Sequence, residues 1–326
     1  MSTPLLQIEE LRTYFPVRGG VFLRARAQCK AVDGVSLSIW PGETLGLVGE
    51  SGCGKSTLGK SVVRLVQPTA GRILFEGTDL AGLSTRQLKP FRRQIQMIFQ
   101  DPADSLNSRL TVGSMLEEPF IIHGIGDAAS RRERVLELLR IVGLQPVAID
   151  RFPFEFSGGQ RQRIGIARAI ALDPKLIICD EPVSALDASI QSQVLNLLLD
   201  LQERLNLSYL FIAHDLAVVK HVCDRIAIMY LGHIVESGDG DEVHHHPRHP
   251  YTQALISAIP RPVPRRESYR QVLTGEVPSP INPPPGCPFQ TRCPHAQAIC
   301  REQLPALREV SGTGRAAHVV ACHFDL

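Results

Sequence analysis

No apolar run in this chain approaches the ~18 residues that a membrane-crossing helix requires, so a role at a membrane has to come through a partner. The opening residues, MSTPLLQIEELR, lack the basic-then-apolar order of a secretory leader, and the chain is expected to be soluble and cytosolic. An excess of either charge is lacking as well: the formal net charge of +2 neither demands nor excludes a polyanionic partner. The CxxC pairs typical of structural zinc sites are missing. What the chain does have is 326 residues at 44% hydrophobic composition, enough for a sizeable core and about two domains.

The most informative stretch is EFSGGQRQRIGIARAIALDPKLIICDEPVSALD, from Glu155 to Asp187. It joins a glycine pair, a helix, an apolar strand and three carboxylates. Leu176 to Cys179 is a continuous apolar run, as expected for a parallel strand covered on both faces. Asp180 and Glu181 stand at its carboxyl end, where open α/β sheets bind ligands. Adjacent acids there suit one carboxylate holding Mg2+ and another polarising a water. The alternative, two surface acids after a buried strand, is weakened by a second motif upstream. Thr44 to Val48 is a short apolar strand running into Gly49-Glu50-Ser51-Gly52-Cys53-Gly54-Lys55-Ser56-Thr57, which fits GxxxxGK(S/T) between a strand and a helix. Its glycines let backbone N–H groups wrap phosphates, with Lys55 reaching the β- and γ-phosphates and Ser56 ligating Mg2+. Cys53 is either a reactive thiol inside this loop or a small filler.

Elsewhere the pattern alternates. Leu5 to Leu11 and Val35 to Ile39 read as strands, separated by a basic, glycine-containing insertion from Pro16 to Lys30. Gln94 to Phe99 reads as a core strand ending at Gln100. Residues 101–171 read as helical, with Val135, Leu138, Leu139 and Val142 on one face of a helix. Ile190 to Leu205 has helical spacing, and Tyr209 to Ala213 is a buried strand ending at His214. Alternation of this kind supports a doubly wound parallel sheet.

Taken together, these motifs resemble an ABC-transporter nucleotide-binding domain. Ser157-Gly158-Gly159-Gln160 is similar to the signature motif, with Phe156 where leucine is usual. Leu176 to Glu181 resembles Walker B, Ser184 to Asp187 the D-loop, Gln100 the Q-loop and His214 the H-loop. The resemblance implies a P-loop ABC ATPase core with a parallel sheet, an inserted helical subdomain and a small cysteine-containing C-terminal appendix. It implies that ATP contacts Gly49, Ser51, Gly52, Cys53, Gly54, Lys55, Ser56 and Thr57, with Mg2+ at Ser56, Gln100 and Asp180. Glu181, His214 and Gln100 would then be catalytic, while Ser157, Gly158, Gly159, Gln160 and Asp187 would face a partner's ATP. An aromatic would stack on adenine, with Tyr14, Phe15 and Phe22 as candidates; core packing is the competing reading for each.

The run His249-Pro250-Tyr251-Thr252-Gln253-Ala254-Leu255, SLNSR after Gln100 (with Ser108 where relatives more often have proline) and the N-terminal insertion resemble oligopeptide and dipeptide importer ATPases, most of all their F-type member. By that resemblance, residues 1–259 form the nucleotide-binding domain, with about 101–171 inserted, and 260–326 a C-terminal extension. The chain would be an ATP-hydrolysing subunit on the cytoplasmic face of the plasma membrane. A second ATPase, in a heterodimer, two membrane-spanning permeases and an extracytoplasmic solute-binding protein would be its partners, with no nucleic acid. The rivals are a non-transport ABC ATPase acting on nucleic acid or ribosomes, and an importer for a nickel chelate or glutathione. The tail is rich in proline and carries Cys287, Cys293, Cys300 and Cys322 at spacing x5, x6, x21. Cysteine-proline steps and the family resemblance lead to the expectation of a 4Fe-4S cluster there, with zinc or unligated thiols as alternatives. His244, His245 and His246 with His249 read as a solvated helix end rather than a metal site. The linker arginines Arg261, Arg265, Arg266 and Arg270 read as a solvated basic segment.

Overall fold

A computed structural model describes residues 3–19, 24–101, 105–259, 273, 275–310 and 317–325. The chain divides into two compact units, one made of Met1–Trp40, Thr44–Gly82 and Ile212–Leu326, the other of Pro41–Glu43 and Leu83–Phe211.

The first unit begins with a long antiparallel hairpin, β1 (Leu6–Gly19) and β2 (Arg24–Ile39), paired from Leu6 opposite Ile39 to Gly19 opposite Arg24 with register shifts on the way, as between Ile8 and Leu11. The two short strands expected here are therefore longer, because the basic insertion continues the same ladder and so satisfies its backbone groups by cross-strand pairing. Pro16 is tolerated because β4 (Ala70–Phe75) pairs with β1 only as far as Arg12, which leaves the rest of β1 with one free edge. Leu6, Ile8, Leu11, Val35, Ile39, Ile73 and Phe75 bury one face of this sheet. A short β5 (Thr78–Asp79) completes it, in the order β2-β1-β4-β5.

Between those strands lie β3 (Thr44–Val48), buried at every residue, and helix α1 (Lys55–Val62). Thr13 on β1 and Ser61 on α1 share a buried hydroxyl–hydroxyl hydrogen bond of 3.0 Å, which pins the helix to the hairpin.

The second unit carries the helical insertion, as expected. Helix α2 (Thr85–Gln94) leads into β6 (Ile95–Ile98). Helices α3 (Val112–His123), α4 (Ala128–Ile141) and α5 (Gly158–Ile170) follow, α4 burying Val135, Leu138 and Leu139 as its periodicity predicts. Asp127 caps α4 by accepting the Ser130 N–H at 2.9 Å. Strand β7 (Leu176–Asp180) runs parallel to β6, with Ile95 opposite Leu176 and Ile98 opposite Cys179. Helix α6 (Ala188–Leu205) ends at Asn206, in the left-handed region with φ 50°, and β8 (Ser208–Ala213) lies next to β7.

Back in the first unit, α7 (Leu216–Lys220) precedes β9 (Arg225–Tyr230), which runs parallel to β3. Strand β10 (His233–Asp239) is antiparallel to β9, and helices α8 (Gly240–His245) and α9 (Pro250–Ser257) follow. The tail adds helix α10 (Ala298–Glu302) and strands β11 (Arg308–Val310) and β12 (His318–Val320). Strand β12 pairs with β10, and β11 with β12, so the tail lengthens this sheet and covers an edge that β10 would otherwise expose.

Among the described residues no helix is long and apolar enough to cross a membrane.

Candidate functional site

In the first unit, β3 delivers the glycine loop to α1. Two of its glycines are demanded by close approach: a Cβ on Gly49 would lie 2.1 Å from the Met229 carbonyl oxygen, and one on Gly54, at φ 110°, would lie 2.0 Å from the Ala31 carbonyl oxygen. Lys55 is buried, and its ammonium folds back over the loop to donate to the carbonyls of Gly49 at 2.7 Å and Glu50 at 3.0 Å. That places a positive charge at the loop's centre, with Ser56 and Thr57 in the first turn of α1. Cys53 is buried too, and burial pushes its thiol up despite the nearby Lys55 ammonium. Its packing against Gly49 agrees with the filler reading rather than with a reactive thiolate. His214 is exposed, and Asp215 beside it caps α7 by accepting the Ala217 N–H at 2.8 Å.

Two contacts on the loop escaped the sequence reading. The Glu50 carboxylate receives both prongs of the Arg292 guanidinium, at 2.6 and 3.1 Å, and the Glu50 N–H donates to the Tyr251 hydroxyl at 2.8 Å. Tyr251 belongs to the HPYTQAL run, the one available signal; Arg292 carries none.

Tyr14 and Phe15 stand on β1. The Tyr14 hydroxyl donates to Asp33 at 2.5 Å and Lys30 lies over its ring, while Phe15 is exposed; Phe22 lies outside the described residues, as do the linker arginines.

In the second unit, β7 ends at the buried Asp180, and Glu181 follows in the left-handed region at φ 47°. A non-glycine residue there costs on the order of 1 kcal/mol, a strain typical of functional turns. The structure brings Gln100 and Glu181 together: the Gln100 amide donates to the Glu181 carboxylate at 3.1 Å. Ser157 opens α5 as its N-cap, its N–H donating to the Gln160 side chain at 3.1 Å while its hydroxyl accepts the Gln160 N–H. A Cβ on Gly159 would meet Ile190 at 2.4 Å, whereas one on Gly158 would find only an ordinary 3.5 Å contact with Leu186. Asp187 stands at the N-cap of α6, and Gln191 braces the preceding loop by donating to the carbonyls of Val183 and Leu186.

The tail cysteines correct the expectation of an iron-sulfur cluster. Among the described residues, which include all four, no group of three or more His, Cys, Asp or Glu side chains is arranged to hold a metal ion. The 4Fe-4S assignment is withdrawn, and the zinc alternative falls on the same finding. His245 and His246 are exposed, as a solvated helix end requires, but His249 is buried and caps α9 by accepting the Tyr251 N–H at Nδ1, 3.1 Å away.

In the first unit a glycine loop with its lysine, and in the second a buried strand ending at Asp180 with Glu181 next to Gln100, are each a nucleotide-handling motif. Residues 32–184 match the ABC transporter family model, and residues 235–300 match that of the oligopeptide/dipeptide transporter C-terminal region. The oligopeptide transport ATP-binding protein AppF of Bacillus subtilis is 54% identical over 98% of this chain and 97% of its own length. The chain belongs to this ABC transporter family. Another relative, the oligopeptide transport ATP-binding protein OppF of Salmonella typhimurium, is 53% identical over 98% of this chain and 95% of its own. Among solved structures, a dimeric ATP-binding cassette in a post-hydrolysis state with ADP and Pi bound has a TM-score of 0.64 at 29% identity, covering 72% of this chain and 98% of the other. The cbiO1 protein of Clostridium perfringens, part of the cbiONQ ABC transporter complex, gives the same TM-score at 28% identity, covering 74% of this chain and 91% of that one. The expected ABC ATPase fold and F-type resemblance both hold, and membership makes this chain an ABC-type ATPase.

Proposed function

We propose that this chain is one of two ATPase subunits that power import of di- or oligopeptides. The observation that carries the reading is its likeness, over nearly the whole length, to oligopeptide transport ATP-binding proteins. Residues 1–259 act as the nucleotide-binding domain, with 101–171 as the inserted helical arm, and 260–326 as the importer-type extension. The chain works on the cytoplasmic face of the membrane, beside two permease subunits, a second ATPase in a heterodimer and an extracytoplasmic solute-binding protein.

In this reading ATP lies between the glycine loop of one subunit and the Ser157-Gly158-Gly159 turn of the other. The helix N-terminus behind that turn favours the γ-phosphate. Lys55 offsets charge developing on the phosphates, and Glu181, held by Gln100, takes the proton of the attacking water. His214 steadies the γ-phosphate, and adenine stacks on Tyr14 or Phe15. The hydroxyl, amide and carboxylate oxygens of Ser56, Gln100 and Asp180 suit a hard cation, and Mg2+ would supply charge neutralisation at the phosphates. Closing and reopening of the ATPase pair drives the permeases.

The test is affinity purification from detergent-solubilised membranes, with co-purifying proteins identified by mass spectrometry. Two multi-span subunits and a second ATPase are expected. Recovery with ribosomes or DNA from the soluble fraction would overturn the transport reading.

A further inference from the structure

Glu50 places a carboxylate in the glycine loop, where its charge repels the polyphosphate that the loop is read to bind. In this chain that charge is met from far along the sequence by the two-pronged Arg292 pair, the strong form of a carboxylate–guanidinium contact. The pair is well shielded from water, with the Arg292 side chain 7% exposed and that of Glu50 28%. Arg292 is fixed in turn: its N–H donates to the carbonyl of Phe289, and the Phe289 ring packs on Tyr230 and Tyr251 at 5.2 and 5.4 Å. Glu50 is thus gripped at its N–H by Tyr251, at its carbonyl by Lys55 and at its carboxylate by Arg292.

We propose that the C-terminal extension sets the nucleotide affinity of the glycine loop through Arg292, a positioning residue that acts by cancelling the Glu50 charge. The inference rests on the reading of Gly49–Thr57 as the phosphate-binding loop. Shielding from solvent magnifies the effect, since a carboxylate stripped of its partner in such surroundings keeps most of its field. A mere staple between tail and loop behaves differently. If Arg292 were only a staple, removing the Glu50 charge as well would bring no recovery; if it cancels charge, that second change repairs the first.

The experiment is calorimetric titration of the full chain with Mg-ATP, together with steady-state ATPase kinetics, for wild type, Arg292→Met, Arg292→Lys, Glu50→Gln, the double variant and Lys55→Ala. Arg292→Met is expected to weaken binding roughly tenfold, with the change in KM rather than kcat. The Glu50→Gln/Arg292→Met double variant is expected to return to within about twofold of wild type. Unaltered binding by Arg292→Met, or a double variant as weak as Arg292→Met, overturns the proposal. Should Arg292→Met not fold, Glu50→Gln carries the test: binding at least as tight as wild type supports charge cancellation, and markedly weaker binding sinks it. Binding that survives Lys55→Ala unchanged overturns the loop assignment and this proposal together. Loss in Lys55→Ala with an unaltered Arg292→Met overturns this proposal alone.

Discussion

Gln100 and Glu181 are neighbours through a single hydrogen bond of 3.1 Å, although one lies just beyond β6 and the other directly follows β7. Parallel pairing of those strands sets the two residues side by side. Glu181→Gln should therefore keep the contact while losing the base. Turnover is expected to fall roughly 100- to 1,000-fold with ATP binding retained, the usual scale for removing a general base. Phosphate release together with filter retention of bound ATP checks this, and normal turnover would refute the base assignment.

The two signature glycines separate folding from catalysis. Gly159→Ala drives a Cβ to 2.4 Å from Ile190 and should cost about 1–3 kcal/mol through overpacking between α5 and α6. Gly158→Ala meets only Leu186 at 3.5 Å, so its thermal midpoint should stay close to wild type, while the proposed docking of this turn on a partner's nucleotide predicts a drop in ATPase activity. Scanning calorimetry beside an ATPase assay separates the two outcomes.

His249 predicts the acid limit of stability. Burial pulls its pKa from 6.5 down to about 4, against a smaller upward pull from Glu236, and its Nδ1 must stay unprotonated to accept the Tyr251 N–H. Between these values the folded state binds fewer protons than the unfolded chain. This contribution is whole above pH 6.5, falls by about 1.4 kcal/mol per unit as pH drops, and levels off below 4. His249→Asn keeps an N-cap acceptor without the titration, so its urea midpoint should depend less on pH between 7 and 5.

Glu236 is wholly buried and accepts the N–H groups of Arg248 and His249 at 2.7 and 3.0 Å, with His318 Nε2 at 2.7 Å. Glu236→Ala strands all three and should cost several kcal/mol, on the order of 1–3 for each buried polar group left without its partner. Glu236→Gln, which keeps an acceptor, should cost less in the same urea titration.

How much of this was readable beforehand follows from the range of each interaction. Strands β3 and β7 and the residues at their ends were legible because a fully buried strand is a continuous apolar run and the loop chemistry is local. The helical arm was legible from the spacing of Val135, Leu138 and Leu139. Arg292 with Glu50 and His318 with Glu236 were not, since a pair that meets only through tertiary folding leaves no spacing pattern. The hairpin was read too short because its outer half, Pro16 to Lys30, is basic and carries a glycine pair and a proline, which read as an insertion between strands. The cysteine tail was misread because ligand-like spacing carries no information on burial or convergence.

The pairing of β3 with β9 also dictates an order of events during synthesis. Val48 cannot meet Ile228 until everything from Gly49 to Ile228 has been made, whereas the second unit is complete once Phe211 emerges. At translation speeds of roughly 5–20 residues per second the glycine loop waits many seconds for the strand beside it. The helical unit is thus able to mature first, and the nucleotide loop becomes one of the last parts of the protein to acquire its shape.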